Sequence, residues 1–271
     1  EDPAVTARTI LAFVRDRAVD GILNNDHPYL QAIAPLSPVP FVAVVHFPRF
    51  AIRALALWNH AAADYTVPIS GTMAAMLRER FHVPAERSPL IHTGIAPDLL
   101  GIERAKPEAG KRKAVFLGGW VGAKGGDLVR ELARAPSPCW ASWQIAWFGT
   151  LPAPQQRELA ALPHVTLHGM VPREQVIREL AAAELLLFPS REEGCPMALL
   201  EGMALGAVPL AASASGAMAE IVQPGRNGYL WPLERWVPES LTLLTALAGP
   251  GVAPDLAEAA RARVRESFLI D

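Results

Sequence analysis

The sequence predicts an α/β protein made of two doubly wound, parallel-sheet domains, and three observations carry that expectation. Short apolar runs alternate with helix-period segments along the chain, the pattern of strand–helix–strand units with parallel strands. The run Leu185 to Phe188 is apolar without alternation, as in a strand buried on both faces. A turn-rich, charged stretch at 97–112 breaks the pattern and reads as a linker. That places an N-terminal domain at 1–96 and a second domain at 113–271.

In the first domain, residues 5–20 read as an amphipathic helix with Ile10, Phe13 and Val14 on its apolar side, ended by Gly21. Ile22-Leu23 then forms a short strand leading to Asn24-Asn25-Asp26-His27, and Pro40 to His46 a second strand. Helices are expected at 48–62 and 71–82, and strands at 64–70 and 89–93. In the second domain, strands are expected near 113–118, 142–149, 164–168, 184–189 and 207–211. Helices fall near 125–135, 153–161, 172–182, 196–205, 239–248 and 253–268. Pro172 opens one of these at its first turn, with Val176, Ile177 and Leu180 as the buried stripe.

Composition narrows the function. A net charge of −2 with 19% charged residues in 271 gives no electrostatic case for nucleic acid. The hydrophobic fraction of 51% supports sizeable cores. Two cysteines, Cys139 and Cys195, make neither a disulfide framework nor a metal cluster, so a reducing compartment is the default. No uncharged apolar run is long enough to span a membrane. His164 and His168, on an expected strand, lie ~13 Å apart and cannot chelate one ion. Asp-x-Asp is absent from the sequence.

The chemistry concentrates at Glu184 to Glu201, which reads as strand, sharp loop and helix. Pro189-Ser190 stops the strand, Gly194 lets the loop approach a ligand closely, and Pro196 fits a helix's first turn. The amides of Gly194, Cys195 and Met197 would then sit at the positive end of the helix, where a diphosphate fits. Glu193 and Glu201 frame this start. At helical rise they are roughly 10 Å apart, too wide for the ~5 Å carboxylate pair of a retaining glycosidase. They suit the two ends of one long polar molecule, and a nucleotide sugar has that shape. Gly118-Gly119-Trp120-Val121-Gly122-Ala123-Lys124-Gly125-Gly126 fails both the P-loop and the G-x-G-x-x-G templates. It reads instead as a strand-to-helix turn open to a diphosphate, with Lys124 as a point charge. A solvated lysine is the alternative there, as a satisfied strand-end histidine is for His27 and His46.

Pro189-Ser-x-x-Glu193-Gly, Leu200-Glu201-Gly-Met-Ala-Leu-Gly and Val208-Pro-Leu together resemble the family 4 retaining glycosyltransferases of the GT-B fold. Phe116-Leu-Gly-Gly before Ala123-Lys124-Gly125 is similar to the family's G-R-x4-K-G stretch, and Val165 to Val171 and Glu220 to Gly228 follow in register. The resemblance is strong over 113–231 and weaker over 21–97. It implies two Rossmann-like domains facing across a cleft, the first incomplete. The family's opening strands with their glycine-rich loop are not visible, nor is its returning last helix. A fragment, part of a larger protein and a member shortened at both ends all fit that pattern.

The resemblance also implies roles. Gly118, Gly119, Lys124, Gly194, Cys195, Pro196 and Met197 would border the donor diphosphate, and the backbone of Met170 and Val171 the base. Glu201 would meet the ribose hydroxyls, Glu193 the transferred sugar, and His46 the hydroxyls of the reacting sugar. The donor would be a nucleoside-diphosphate sugar, used without metal or separate cofactor. The acceptor, a sugar, lipid or small molecule, would lodge between the domains. Location would be cytoplasmic, with peripheral membrane contact compatible. Gly119 stands where the family has arginine, which removes a two-pronged phosphate donor. That motivates the alternative of a nucleotide-sugar-binding module without turnover. Hydrolysis or epimerisation of the donor is a weaker third option.

Overall fold

The computed structural model describes residues 2–46, 60–105, 111–214 and 216–270. The chain forms two compact units, Glu1–Thr93 with Glu193–Cys195, and Gly94–Glu192 with Pro196–Asp271. Each carries its own parallel sheet, the α/β architecture expected from the alternating pattern.

In the first unit, helix α1 (Pro3–Asp16) is capped by Asp2, whose side chain accepts from the Ala4 amide at 2.9 Å. That bond satisfies one of the helix's orphan donors. Its buried residues are Leu11 and Val14, whereas Phe13 is 57% exposed. The packing stripe thus runs through Ala7, Leu11 and Val14, which share a face at helical spacing, and Phe13 lies outside it. Strands β1 (Ile22–Asn25), β2 (Phe41–Val45) and β3 (Tyr65–Pro68) pair in parallel in that order. Helix α2 (Pro28–Ile33) follows β1, and α3 (Gly71–Phe81), capped by Ser70, follows β3. The six residues of α2 are too few to display a periodicity, so the sequence does not announce them. The helix expected over 48–62 lies largely outside the described residues; within them, His60–Ala62 form a short 3-10 turn.

Pro89 to Thr93, expected as a strand, does not join the sheet. The Ile91 amide donates to Pro68 O at 3.1 Å, but Pro68 has no N–H to continue a ladder and Pro89 has none either.

The second unit holds six parallel strands in the order β6-β5-β4-β7-β8-β9. They are β4 (Arg112–Leu117), β5 (Trp143–Phe148), β6 (Val165–Gly169), β7 (Leu185–Phe188), β8 (Val208–Ala212) and β9 (Tyr229–Trp231). Between them run α4 (Gly126–Arg134), α5 (Ala153–Ala160), α6 (Arg173–Ala181), α7 (Met197–Ala204) and α8 (Gly216–Ile221). Helices α9 (Leu233–Ala246) and α10 (Pro254–Ser267) end the chain. Every residue of β7 and β8 is buried, as their unbroken apolar runs require. Trp143 and Trp236 are fully buried and keep their indole N–H groups satisfied on Leu244 O (2.9 Å) and Leu210 O (3.0 Å).

Three expectations shift here. Pro172 and Pro196 are the residues just before α6 and α7 rather than their first turns. Helix α9 begins at Leu233, not at 239, and carries Pro238 inside it, where the missing N–H leaves the Glu234 carbonyl without its helical donor. Of the α6 stripe, Leu180 is fully buried while Val176 and Ile177 are half-buried. Among the described residues no helix is long and apolar enough to cross a membrane.

Candidate functional site

The strand order of the second unit fixes where a ligand fits. From β4 the chain winds outward through β5 and β6, then returns to lay β7, β8 and β9 on β4's other side. The carboxyl ends of β4 and β7 therefore form the switch point, where open α/β sheets bind ligands. The loops leaving these two strands are tied together. The Arg191 amide donates to Ala123 O at 2.7 Å and Ser190 Oγ donates to the same carbonyl at 2.9 Å. The Arg191 guanidinium donates to Gly122 O at 2.8 Å and holds both Asp127 oxygens at 2.7 Å each. This fork pulls the Asp127 carboxyl below its usual range, the Arg191 hydrogen bond being the main cause.

Gly118 and Gly119 begin the first loop, and Lys124 closes the turn Gly122–Lys124 just before α4. Gly119 takes φ +54, and a side-chain carbon there would come within 2.8 Å of Thr150 O and 3.0 Å of Thr150 N. Its backbone is thus in the left-handed region and pressed on the neighbouring turn. An arginine at this position conflicts with both features, so the glycine is required by the backbone.

The turns after β4, β5 and β6 line an open cavity of 360 Å³ bordered by Gly118, Gly119, Phe148, Gly149, Thr150, Gly169, Met170, Val171 and Val176. Its walls are largely backbone and aliphatic, and Met170 is 78% exposed at its edge. Helix α7 begins nearby in the chain order, after β7. It buries Leu199, Leu200 and Met203 and leaves Glu201 half-buried on its outer side. Glu201 Oε1 accepts from Arg173 Nη2 at 2.6 Å. Met197, the first residue of α7, is 37% exposed, and Pro196 is buried.

Gly118, Gly119, Lys124, Met170, Val171, Pro196, Met197 and Glu201 all belong to the second unit, and of these Gly118, Gly119, Met170 and Val171 line the same cavity. His46, Glu193, Gly194 and Cys195 belong to the first unit. There Gly194 packs so tightly on the His46 carbonyl that any side-chain carbon would overlap it. Glu193 is only 6% exposed. Cys195 Sγ donates to Thr93 O at 3.5 Å and packs beside Val45, Ile69 and Met73. His46 follows β2, and its Nε2 meets Asn25 Oδ1 at the end of β1. Beside it, Asp26 is pushed up by burial, partly countered by the charge of His46.

His27 precedes α2 and is exposed, its amide donating to Asn24 Oδ1 at 2.9 Å. His164 Nε2 bonds Ala133 O at 2.9 Å and the ring stacks on Trp140, while His168 stacks on Phe148. Two arginines escaped the sequence reading. Arg191 occupies a variable place in Pro-Ser-x-x-Glu, and nothing local marks it. Arg173 did carry a signal: a cation in the first turn of a helix opposes the dipole and needs a counter-charge.

Residues 111–245 match the family model described as glycosyl transferases group 1. The chain is 26% identical over 197 residues to the amylovoran biosynthesis glycosyltransferase AmsK of Erwinia amylovora, covering 68% of this chain and 48% of that protein. It is 27% identical over 132 residues to the lipopolysaccharide 1,6-galactosyltransferase of Escherichia coli K12, covering 46% of this chain and 37% of that one. The chain therefore spans about half or less of these curated relatives. Among solved structures, the Anabaena protein HepE in complex with UDP superposes with a TM-score of 0.76 at 19% identity, over 97% of this chain and 78% of that one. The pneumococcal O-GlcNAc transferase GtfA, in complex with UDP and GlcNAc, gives 0.74 at 13% identity, over 96% of this chain and 56% of that one. The fold is GT-B, and residues 111–245 are similar to the glycosyl transferases group 1 family.

Proposed function

We propose that this chain acts as a retaining, metal-independent glycosyltransferase of the family 4 type, moving a sugar from a nucleoside diphosphate to an acceptor hydroxyl. The observation that carries the reading is the switch point of the six-stranded sheet, where the loop after β4, tied by hydrogen bonds to the loop after β7, lines a cavity at the ends of β4, β5 and β6. The family match over 111–245 supports it, as do the UDP complexes of HepE and GtfA.

In this reading the base enters the cavity beside Met170 and Val171, and the ribose reaches Glu201. The diphosphate lies by Gly118, Gly119 and Lys124 and before the start of α7. Cleavage of the sugar–phosphate bond leaves negative charge on the diphosphate, which Lys124 and the amides opening α7 stabilise. The acceptor oxygen attacks the face that the diphosphate leaves, and its proton passes to the departing phosphate oxygen. No protein nucleophile is needed. Glu193 and His46 hold hydroxyls of the transferred sugar. Metal independence and the absence of a separate cofactor are part of the proposal, supported by the lack of Asp-x-Asp in the sequence. A cytoplasmic location with peripheral membrane contact, a sugar, lipid or small-molecule acceptor and no nucleic-acid partner complete it.

A second reading, a nucleotide-sugar-binding module without turnover, rests on Gly119. Incubation with a panel of nucleoside-diphosphate sugars in EDTA, with and without sugar and lipid acceptors, separates the two. The transferase reading expects acceptor-dependent release of nucleoside diphosphate. Saturable donor binding with no release under any acceptor would favour the module.

A further inference from the structure

Arg173 is the first residue of α6, two residues after Val171, which with Met170 borders the cavity. A cation there faces the positive end of its own helix, so the position is unfavourable unless something outside the helix compensates. The compensation is Glu201: the two side chains meet at 2.6 Å, with Arg173 59% exposed and Glu201 22% exposed. Asp98 and Glu174 add negative charge around the same guanidinium. The contact is one-pronged, through Nη2 and Oε1 only. It therefore restricts the carboxylate without consuming it. Among the described residues Oε2 has no hydrogen bond, so it can accept one, in a side chain whose rotamer freedom has already been reduced. With Arg173 59% exposed, the pair adds little to folding.

We propose that Arg173 is a positioning residue that holds Glu201 for a ribose hydroxyl, and so sets the preference of the site for ribonucleotides over 2′-deoxyribonucleotides. The proposal rests on the donor-site reading above. A carboxylate aimed by a neighbour discriminates a hydroxyl from a hydrogen better than one that must be ordered on binding.

The test is calorimetric titration with the ribo and 2′-deoxy forms of uridine, guanosine and adenosine diphosphate, using the pair whose ribo form binds most tightly. The proteins are the unmodified chain, Arg173→Gln, Arg173→Lys, Glu201→Gln and the Arg173→Gln/Glu201→Gln double variant. The unmodified chain is expected to prefer the ribo form by about tenfold or more, the scale of one charged hydrogen bond. Arg173→Gln should reduce that ratio at least about threefold, Arg173→Lys should reduce it less, and Glu201→Gln should abolish it. The double variant should match Glu201→Gln, because Arg173 acts through Glu201. If Glu201→Gln abolishes the preference and Arg173→Gln leaves it intact, the proposal is overturned and the donor site stands. If Glu201→Gln leaves the preference unchanged, or no ribonucleotide binds saturably, the donor-site reading falls and the proposal falls with it.

Discussion

Gly119 offers the sharpest perturbation, because the structure turns a departure from the family pattern into a calculable cost. The residue sits at φ +54, and a Cβ would lie 2.8 Å from Thr150 O and 3.0 Å from Thr150 N. Holding an alanine in the left-handed region costs about 1–2 kcal/mol. Displacing backbone atoms of a packed turn adds about 1–3 kcal/mol. Gly119→Ala should therefore destabilise the protein by about 2–5 kcal/mol, a drop on the order of 10 °C in Tm for a chain of this size. Gly122→Ala is the control: a Cβ there meets nothing within 4 Å, and the expected change is within about 0.5 kcal/mol. Gly119→Arg should be no more stable than Gly119→Ala, because both share the same Cβ conflict. Urea and thermal unfolding of the three variants measure this. A Gly119→Ala protein as stable as Gly122→Ala would refute the argument, and would reopen position 119 to the arginine fork.

Three further perturbations test other parts of the site. Glu201→Ala should weaken nucleoside-diphosphate binding by about 1–3 kcal/mol, whereas Glu193→Ala should leave it almost intact and cut transfer; equal losses in nucleotide titration would contradict the division of roles. Cys195 should alkylate faster than Cys139, which is 1% exposed, while nucleotide should protect it little, since its thiol is engaged on Thr93; strong protection by nucleotide would place it at the diphosphate instead. Asp127 is held below its usual range by Arg191, so its contribution is complete above the unfolded carboxyl value near 4 and disappears as pH falls through the lower folded value. For so exposed a pair this amounts to under about 1 kcal/mol, visible as a shallower loss of stability below pH ~4 in Arg191→Leu; identical acid profiles would refute it.

Legibility in the sequence tracked how much each feature depends on local pattern. The strands of the second unit were readable because burial on both faces leaves unbroken apolar runs such as Leu185 to Phe188. Helix α2 and strand β9 were not, having too few residues to show a period. Pro89 to Thr93 had strand composition but no partner able to donate back, a tertiary fact that composition does not contain. At the site, the residue types around Glu193 to Glu201 were legible from motif spacing. Their environments were not: Gly194 against the His46 carbonyl, Cys195 partly buried against the cluster that holds Met73, and Arg173 on Glu201 all depend on chain segments far apart in sequence. The conformation of Gly119 was hidden for the same reason, since the turn that crowds it comes after the next strand.

The central claim is that a nucleotide binds at the carboxyl end of the six-stranded sheet. Amide hydrogen exchange, with and without a saturating nucleoside diphosphate, tests it most directly. The account expects protection to concentrate in 118–125, 169–173 and the first turn of α7, with the amino-terminal ends of β4, β5 and β7 unchanged. Protection confined to other segments, with these three unaffected at saturation, would contradict it.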